Sequence, residues 1–455
     1  MRLSMLSLGA AGLLLAGPAL AAAPSCVAPD YARHARALVA PYVDAQAFTG
    51  SILVTKDGAP VFRQGFAMAN REWEAPNTPD TKFRLGSITK QFTAAAVLLL
   101  AEDGKLSVDD PVSKFYPAAP AAWSKVTIKH LLTHTSGIPS YTSIPGFFDK
   151  SSKLPLSPVE IVKLTQDKPL EFEPGGKFQY DNTAYVLLGV VIEKASGQAY
   201  ADFLRTRIFT PLGMNDTGYD VSATVLRHRA SGYQPGLEGQ LVNADYLDMN
   251  LPHAAGSLYS TVDDLSKWDR AIVAGKLLKP ASWTAAFTDY GHGYGYGWFL
   301  NKLGQHRRIQ HGGGINGFSA ALQRYPDDGL AVVVLGNAMS AQSERIADQL
   351  AQLCFGEYKA PVAMTVPPAQ MDRYVGTYAL GPDVPIRVWR VGTRLFTQVK
   401  GQLPVEIYAR TPTTFFAGIV EADFSFLPDG EGQAQTLILK QWGNETKAAR
   451  IAPAP

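Results

Sequence analysis

The spacing of apolar positions changes along the chain, and each change marks a predicted element. Ser51-Ile52-Leu53-Val54-Thr55 is a short β-branched run, Asp57-Gly58 is a hairpin-turn pair, and Val61-Phe62 begins the return strand. Ahead of them, residues 30–45 read as a helix carrying Ala37, Leu38 and Val39 and stopping at Pro41 or beyond. The stretch after Ser87 holds Phe92, Val97, Leu98, Leu99 and Leu100 and ends at Asp103-Gly104. It is apolar nearly all round, the pattern of a buried helix. Residues 185–195 form a second apolar helix, within a region from about 84 to 290 of helices and loops rich in Pro and Gly. Gln310-His311 starts a glycine-rich turn. Residues 318–325, the turn Pro326-Asp327-Asp328-Gly329 and residues 330–335 read as another hairpin, and 346–353 as a closing helix. Strands at both ends of a helical middle predict an α+β domain, an antiparallel sheet flanked by helices.

The pattern shifts again at residues 361–370, a Pro-rich linker. Beyond it come short alternating runs such as Ile386-Arg387-Val388-Trp389, Phe424-Ser425-Phe426-Leu427 and Thr436-Leu437-Ile438-Leu439, parted by turn residues. They predict a small all-β barrel or sandwich over 371–455. With 455 residues, 46% of them hydrophobic and 18% charged, there is ample material for a globular core in each part.

The N-terminus reads as a targeting segment. Met1-Arg2 is a positive start, residues 3–15 are mostly apolar, and Ala19-Leu20-Ala21 is a small-residue cleavage site, with Ala23 as a second possible end. A signal peptide over 1–23 predicts a mature catalytic domain over 24–360, periplasmic or secreted and without stable membrane insertion. A net charge of +2 with no basic run gives no footprint for nucleic acid. Cys26 and Cys354 are the two cysteines. Neither has zinc-ligand spacing, and no metal or cofactor is called for. Cys26 precedes the first helix and Cys354 follows the last helix of the catalytic domain, ends that an antiparallel sheet flanked by both helices brings side by side. In an oxidising compartment the expectation is a Cys26–Cys354 disulfide.

Three short motifs carry candidate chemistry. Ser87-Ile88-Thr89-Lys90 is an S-x-x-K at the head of the buried helix. Positions i and i+3 share a face, which places Lys90 beneath Ser87, and desolvation lowers a lysine's proton affinity towards that of a base. The plain alternative is a capping serine with a lysine reaching to solvent. Tyr180-Asp181-Asn182 is a Y-x-N ahead of the second apolar helix. A phenol near a cation ionises more easily and shuttles a proton, and an asparagine orients a lysine or a substrate amide. Its alternative is a turn tyrosine beside a helix cap. His311-Gly312-Gly313-Gly314 offers free backbone N–H groups where glycines let a substrate approach, or else is a loop with a surface histidine. His134 is expected to make a structural hydrogen bond. The string Tyr294-Gly295-Tyr296-Gly297-Trp298 either lines a cleft or leads into a strand.

The order S-x-x-K, Y-x-N, H-x-G resembles the serine β-lactamase and penicillin-binding protein family, and within it the class C β-lactamase-related serine hydrolases. These include D-alanyl-D-alanine carboxypeptidases, D-aminopeptidases and esterases. The segments His130-Leu131-Leu132-Thr133-His134-Thr135-Ser136-Gly137, Tyr185-Val186-Leu187-Leu188-Gly189 and Gly256-Ser257-Leu258-Tyr259-Ser260 carry the same resemblance. It implies Ser87 as nucleophile, Lys90 as its base, and Tyr180 as proton relay. Asn182, His311 and Gly313 would orient substrate, and the N–H groups of Ser87 and Gly314 would form an oxyanion hole. Asp181 stands where Y-S-N has serine. His311 stands where many relatives have the lysine of K-T-G, which implies a weaker, pH-dependent charge for a substrate carboxylate. The region after Met371 is similar to lipocalin-like C-terminal domains.

The expected function is therefore an exported serine hydrolase that forms an acyl-enzyme on ester, peptide or β-lactam bonds of a small-molecule or peptide substrate. Peptidase or esterase activity should exceed β-lactam hydrolysis. Two other readings remain. One is a penicillin-sensor-like or pseudoenzyme peptide-binding protein without turnover. The other is ligand carriage by the C-terminal barrel.

Overall fold

The computed structural model describes residues 25–452 except 429 and 431, so the expected signal peptide lies outside the described residues. The chain enters through α1 (Tyr31–Asp44), then β1 (Gly50–Lys56) and β2 (Ala59–Phe66). Two buried helices follow, α2 (Thr89–Glu102) and α3 (Asn182–Ser196). A small hairpin, β3 (Tyr233–Pro235) and β4 (Leu241–Asn243), precedes the four strands β5 (Phe299–Leu303), β6 (His306–Ile315), β7 (Phe318–Tyr325) and β8 (Leu330–Gly336), and α4 (Ser343–Phe355) closes the domain. The main sheet runs β5-β6-β7-β8-β1-β2 and is antiparallel throughout.

Alternation along the central strands explains the layering. Ile52 and Val54 of β1 and Val332 and Val334 of β8 point to one side, where α1 and α4 cover them. Leu53, Val333 and Leu335 point to the other, into the helical body that holds α2 and α3. The unbroken apolar run of α2 follows from its place inside that body, with every residue from Thr89 to Leu100 buried.

Residues 312–314 differ from the expected turn. Gly312, Gly313 and Gly314 stay inside β6 and pair with Ala321, Ala320 and Ser319 of β7. They are glycines because other backbone runs against them. A Cβ on Gly313 would collide with the carbonyl of Leu85, and one on Gly312 with the side chain of Glu344.

Eight antiparallel strands between Gly376 and Ala452 close into a barrel. Its lumen is filled by side chains that include Tyr374, Tyr378, Phe415, Phe426 and Leu437. A lumen so filled leaves no room for a carried ligand inside it. The barrel also docks on the catalytic domain. Leu403 and Ile419 join the core under α1 and α4, and the Gln398 amide donates to the carbonyl of Glu238 at the tip of the β3–β4 hairpin, 3.1 Å away.

Cys26 and Cys354 are joined by a disulfide, with Cα atoms 4.3 Å apart across a separation of 328 residues. Cys354 sits in the last turn of α4 rather than beyond it. Closing so long a loop stabilises the fold by up to about 6 kcal/mol in the chain-entropy model. Thiol titration of the unfolded, non-reduced mature protein should find no free thiol, and reduction should release two. Two thiols without reductant would contradict the pairing.

Candidate active site

Ser87 lies in a single 3-10 turn, Gly86–Ile88, that feeds directly into α2. Gly86 has φ +53°, and a Cβ there would sit 3.0 Å from the amide nitrogen of Gly314. Only glycine allows the head of α2 and strand β6 to touch in this way. The contact brings Ser87 and Gly314, the two residues named for the oxyanion hole, to one wall of the same cleft.

Lys90 is wholly buried one helical turn below. Its Nζ is 3.0 Å from Ser87 Oγ, 2.9 Å from Asn182 Oδ1 and 2.9 Å from the carbonyl oxygen of Ala255. Two of these partners can only accept. The Ala255 oxygen is a carbonyl, and Asn182 Oδ1 is fixed as the acceptor end because Nδ2 donates to Thr142 Oγ1 at 3.2 Å. A neutral amine has two hydrogens and one lone pair. With both hydrogens engaged, the lone pair is left for the Ser87 hydroxyl, as a general base requires. The electrostatics agree, because burial holds Lys90 well below the ordinary lysine range.

Tyr180 completes the group. It lies beside the Ser87–Lys90 pair, with the Lys90 nitrogen over its ring face at 4.8 Å. The expectation that a nearby cation would ease its ionisation is corrected. Burial raises the Tyr180 phenol above its ordinary range, and the neighbouring Ser87 hydroxyl offsets this only in part. In the free enzyme Tyr180 is therefore a protonated phenol, able to donate a proton to a leaving group.

Asn182 is the first residue of α3, whose N-terminus is capped by Asp181. Its backbone N–H is held 3.1 Å from Ser140 Oγ. Behind it, the ring of His134 packs on Tyr180 at 4.3 Å, and its Nδ1 accepts from the Asp181 N–H at 3.1 Å. His134 thus makes a structural hydrogen bond.

His311 differs most from expectation. It is 2% exposed, with Nδ1 2.6 Å from the Gly312 oxygen and Nε2 3.1 Å from the Tyr294 hydroxyl. Nδ1–H donates to the carbonyl and Nε2 accepts from the phenol, so neither nitrogen is left for substrate. Burial first, and Lys90 second, push its pKa down to about 3. His311 is a neutral strut under β6 and not a pH-dependent cation. Tyr294, 1% exposed, is its partner beneath the site and does not line the cleft.

The cleft has a volume of 630 Å³, and Tyr141, Phe147, Phe148, Leu247 and Ile315 supply its apolar wall. The sequence reading missed these residues and the Ala255 carbonyl. They come from loops with no motif, and only the segment around Gly256 gave any hint of one. Gln234, within β3, and Asp245, just past β4, line the cleft while the hairpin tip meets the barrel.

Known proteins resemble this chain along most of its length. The beta-lactamase family model matches residues 35–355. The chain belongs to the beta-lactamase family. A penicillin-binding protein of Bacillus subtilis (strain 168) is 32% identical over 451 residues, spanning 92% of this chain and 98% of that protein. Two solved structures are also similar. The octameric penicillin-binding protein homologue from Pyrococcus abyssi has a TM-score of 0.67 and 27% identity, covering 91% of this chain and 99% of its own. The D-amino acid amidase from Ochrobactrum anthropi SV3 has a TM-score of 0.64 and 25% identity, covering 72% of this chain and all 100% of its own. The protein is accordingly a β-lactamase-related serine hydrolase, with an added closed β-barrel.

Since His311 is neutral far below neutrality, it should confer no pH-dependent preference for carboxylates. The ratio of kcat/KM for a carboxylate-bearing ester to that for its neutral counterpart should stay flat between about pH 5.5 and 8. A ratio that rises severalfold on acidification would restore a histidinium at this position.

Proposed function

We propose that the protein is an exported serine hydrolase that forms an acyl-enzyme on Ser87 and favours amide or ester substrates lacking a carboxylate beside the scissile bond. The observation that carries this reading is the fully buried Lys90 nitrogen 3.0 Å from Ser87 Oγ. Lys90 takes the Ser87 proton as the hydroxyl attacks. The amides of Ser87 and Gly314 receive the developing oxyanion, and the Tyr180 phenol protonates the leaving nitrogen or oxygen. The proton on Lys90 then passes to the Tyr180 phenolate, so that as water replaces the leaving group Lys90 is again free to take a proton from it, and that proton returns to Ser87 Oγ when the acyl group is released.

The charge of the cleft argues the substrate class. Among the described residues lining it, no lysine, arginine or histidine is present, while Asp149 and Asp245 are. A carboxylate such as β-lactams carry meets no cation there and two like charges, whereas a neutral or amine-bearing acyl group is tolerated. The similarity to a D-amino acid amidase is consistent with amino-acid amides as one such group. Export is supported by the leader-like residues 1–23 and by the Cys26–Cys354 disulfide just beyond them, since disulfides persist in oxidising compartments.

The test is kcat/KM for a short-chain nitrophenyl ester, a D-amino acid amide and a cephalosporin in one buffer, with labelling by a fluorophosphonate. The ester or the amide should exceed the cephalosporin by about tenfold or more, worth roughly 1.4 kcal/mol in the transition state. Ser87→Ala should lose both labelling and turnover, and Lys90→Ala should lose roughly 10²–10⁴ in rate. A cephalosporin value tenfold above both others would make the protein a β-lactamase in function. Acylation without steady-state turnover would make it a sensor.

A further inference from the structure

Of the atoms that hold Lys90, the Ala255 carbonyl oxygen has no side chain of its own to steer it. Its position comes from a short helical turn, His253–Gly256, which begins at His253 with φ +37°. A histidine in that conformation is strained and persists only where its surroundings force it. One constraint is Gly189 of α3, where a Cβ would lie 2.5 Å from the His253 ring. The turn then stops at once, because the Leu258 N–H turns aside to Thr89 Oγ1 at 3.2 Å. Ala254 and Ala255 therefore carry end carbonyls that a continuing helix would have satisfied. Side chains of α2 take over. Thr93 Oγ1 is 2.7 Å from the Ala254 oxygen, and Lys90 Nζ is 2.9 Å from the Ala255 oxygen. At i and i+3, the two donors share one face of α2.

Hydrogen accounting fixes the direction of the Thr93 bond. A threonine inside a helix ordinarily bonds back to the carbonyl four residues earlier. Here that carbonyl, of Thr89, is 3.3 Å away, and the Ala254 oxygen is nearer. The hydroxyl has one hydrogen, and the shorter contact takes it. The Tyr200 hydroxyl, 2.6 Å from Thr93 Oγ1, must then be the donor of that pair. Thr93 and Tyr200 are both buried. The hydrogen bonds thus run one way, from Tyr200 to Thr93 to the Ala254 carbonyl, and end next to the carbonyl that holds the base.

We propose that Thr93, oriented by Tyr200, is a positioning residue for the base: it fixes the Ala254–Ala255 turn so that the Ala255 carbonyl takes one Lys90 hydrogen and the lone pair faces Ser87. The inference rests on the reading of Lys90 as base to Ser87. The two hydrogens and the lone pair of an amine keep fixed angles to one another, so displacing either acceptor turns the lone pair away from the hydroxyl. Asn182, the other acceptor, is held separately by its bond to Thr142.

The experiment is the rate of Ser87 acylation by a neutral nitrophenyl ester, with KM measured alongside, for the full mature protein and for Thr93→Val, Thr93→Ser and Tyr200→Phe. Valine keeps the shape of threonine and removes the hydroxyl. Thr93→Val should slow acylation about 10- to 100-fold with KM little changed, the size expected when a reacting group is misplaced by about 1 Å. Thr93→Ser keeps the hydroxyl and should keep most of the rate, although the lost methyl lowers thermal stability. Tyr200→Phe leaves the Thr93 hydroxyl free to turn to Thr89 and should slow acylation severalfold. A wild-type rate in folded Thr93→Val, or equal losses in Thr93→Val and Thr93→Ser, would overturn the proposal and leave Thr93 a packing residue. Should Thr93→Val not fold, Tyr200→Phe decides, and a wild-type rate there overturns the proposal. Failure of the underlying reading looks different, since Lys90→Ala would then acylate Ser87 as fast as the wild type.

Discussion

An amine sealed inside a protein stays functional only if it can exist without its charge and if each hydrogen has somewhere to go. Lys90 meets both conditions, with Asn182 Oδ1 and the Ala255 carbonyl taking its hydrogens and Ser87 facing its lone pair. Keeping an ammonium there would cost several kcal/mol in lost hydration. The rest of the catalytic domain is arranged around this restriction. Helix α2 is apolar on every side because the lysine must be kept from water, and α3 is apolar because it forms the adjoining wall. The aromatic stack of Tyr180, His134 and Tyr185 excludes water from the remaining side.

The second requirement is a place for the substrate oxygen, and here backbone contact decides. Gly86 and Gly313 let the head of α2 and strand β6 approach so closely that no side chain fits between them. His311 fixes the strand from below through Tyr294. One wall of the cleft leans on the barrel, because the β3–β4 hairpin has its base beside Gln234 and Asp245 and its tip against Gln398. The added domain is thereby built into the enclosure of the site while its own interior stays a closed core.

Much of this was legible in the sequence, for physical reasons. The apolar runs at 92–100 and 185–195 could only be buried helices, and i to i+3 spacing put Lys90 beneath Ser87. The hairpins at 57–58 and 326–329 announced themselves through turn residues, and the alternation beyond 371 announced the barrel. What failed was charge. The motif gave His311 a position but not its surroundings, and burial beneath Phe299 and Tyr294 made it neutral. The same blindness hid the state of Tyr180, because an adjacent lysine raises or lowers a phenol according to whether that lysine is itself charged. The glycines at 312–314 read as a turn because the reason for them, Leu85 and Glu344 pressing on the strand, is distant in sequence. Loop residues such as Phe147 and Leu247 carry no pattern at all.

The central claim is that Lys90 is a neutral amine in the resting enzyme. Lysine labelled with carbon-13 at Cε reports protonation directly by NMR, and the Lys90→Arg variant assigns the signal. The account predicts one resonance that titrates well below the bulk of the lysines, which titrate near their ordinary value of about 10.4. A Lys90 resonance that titrates with that bulk would mean a buried ammonium at working pH, and Ser87 would then have no base.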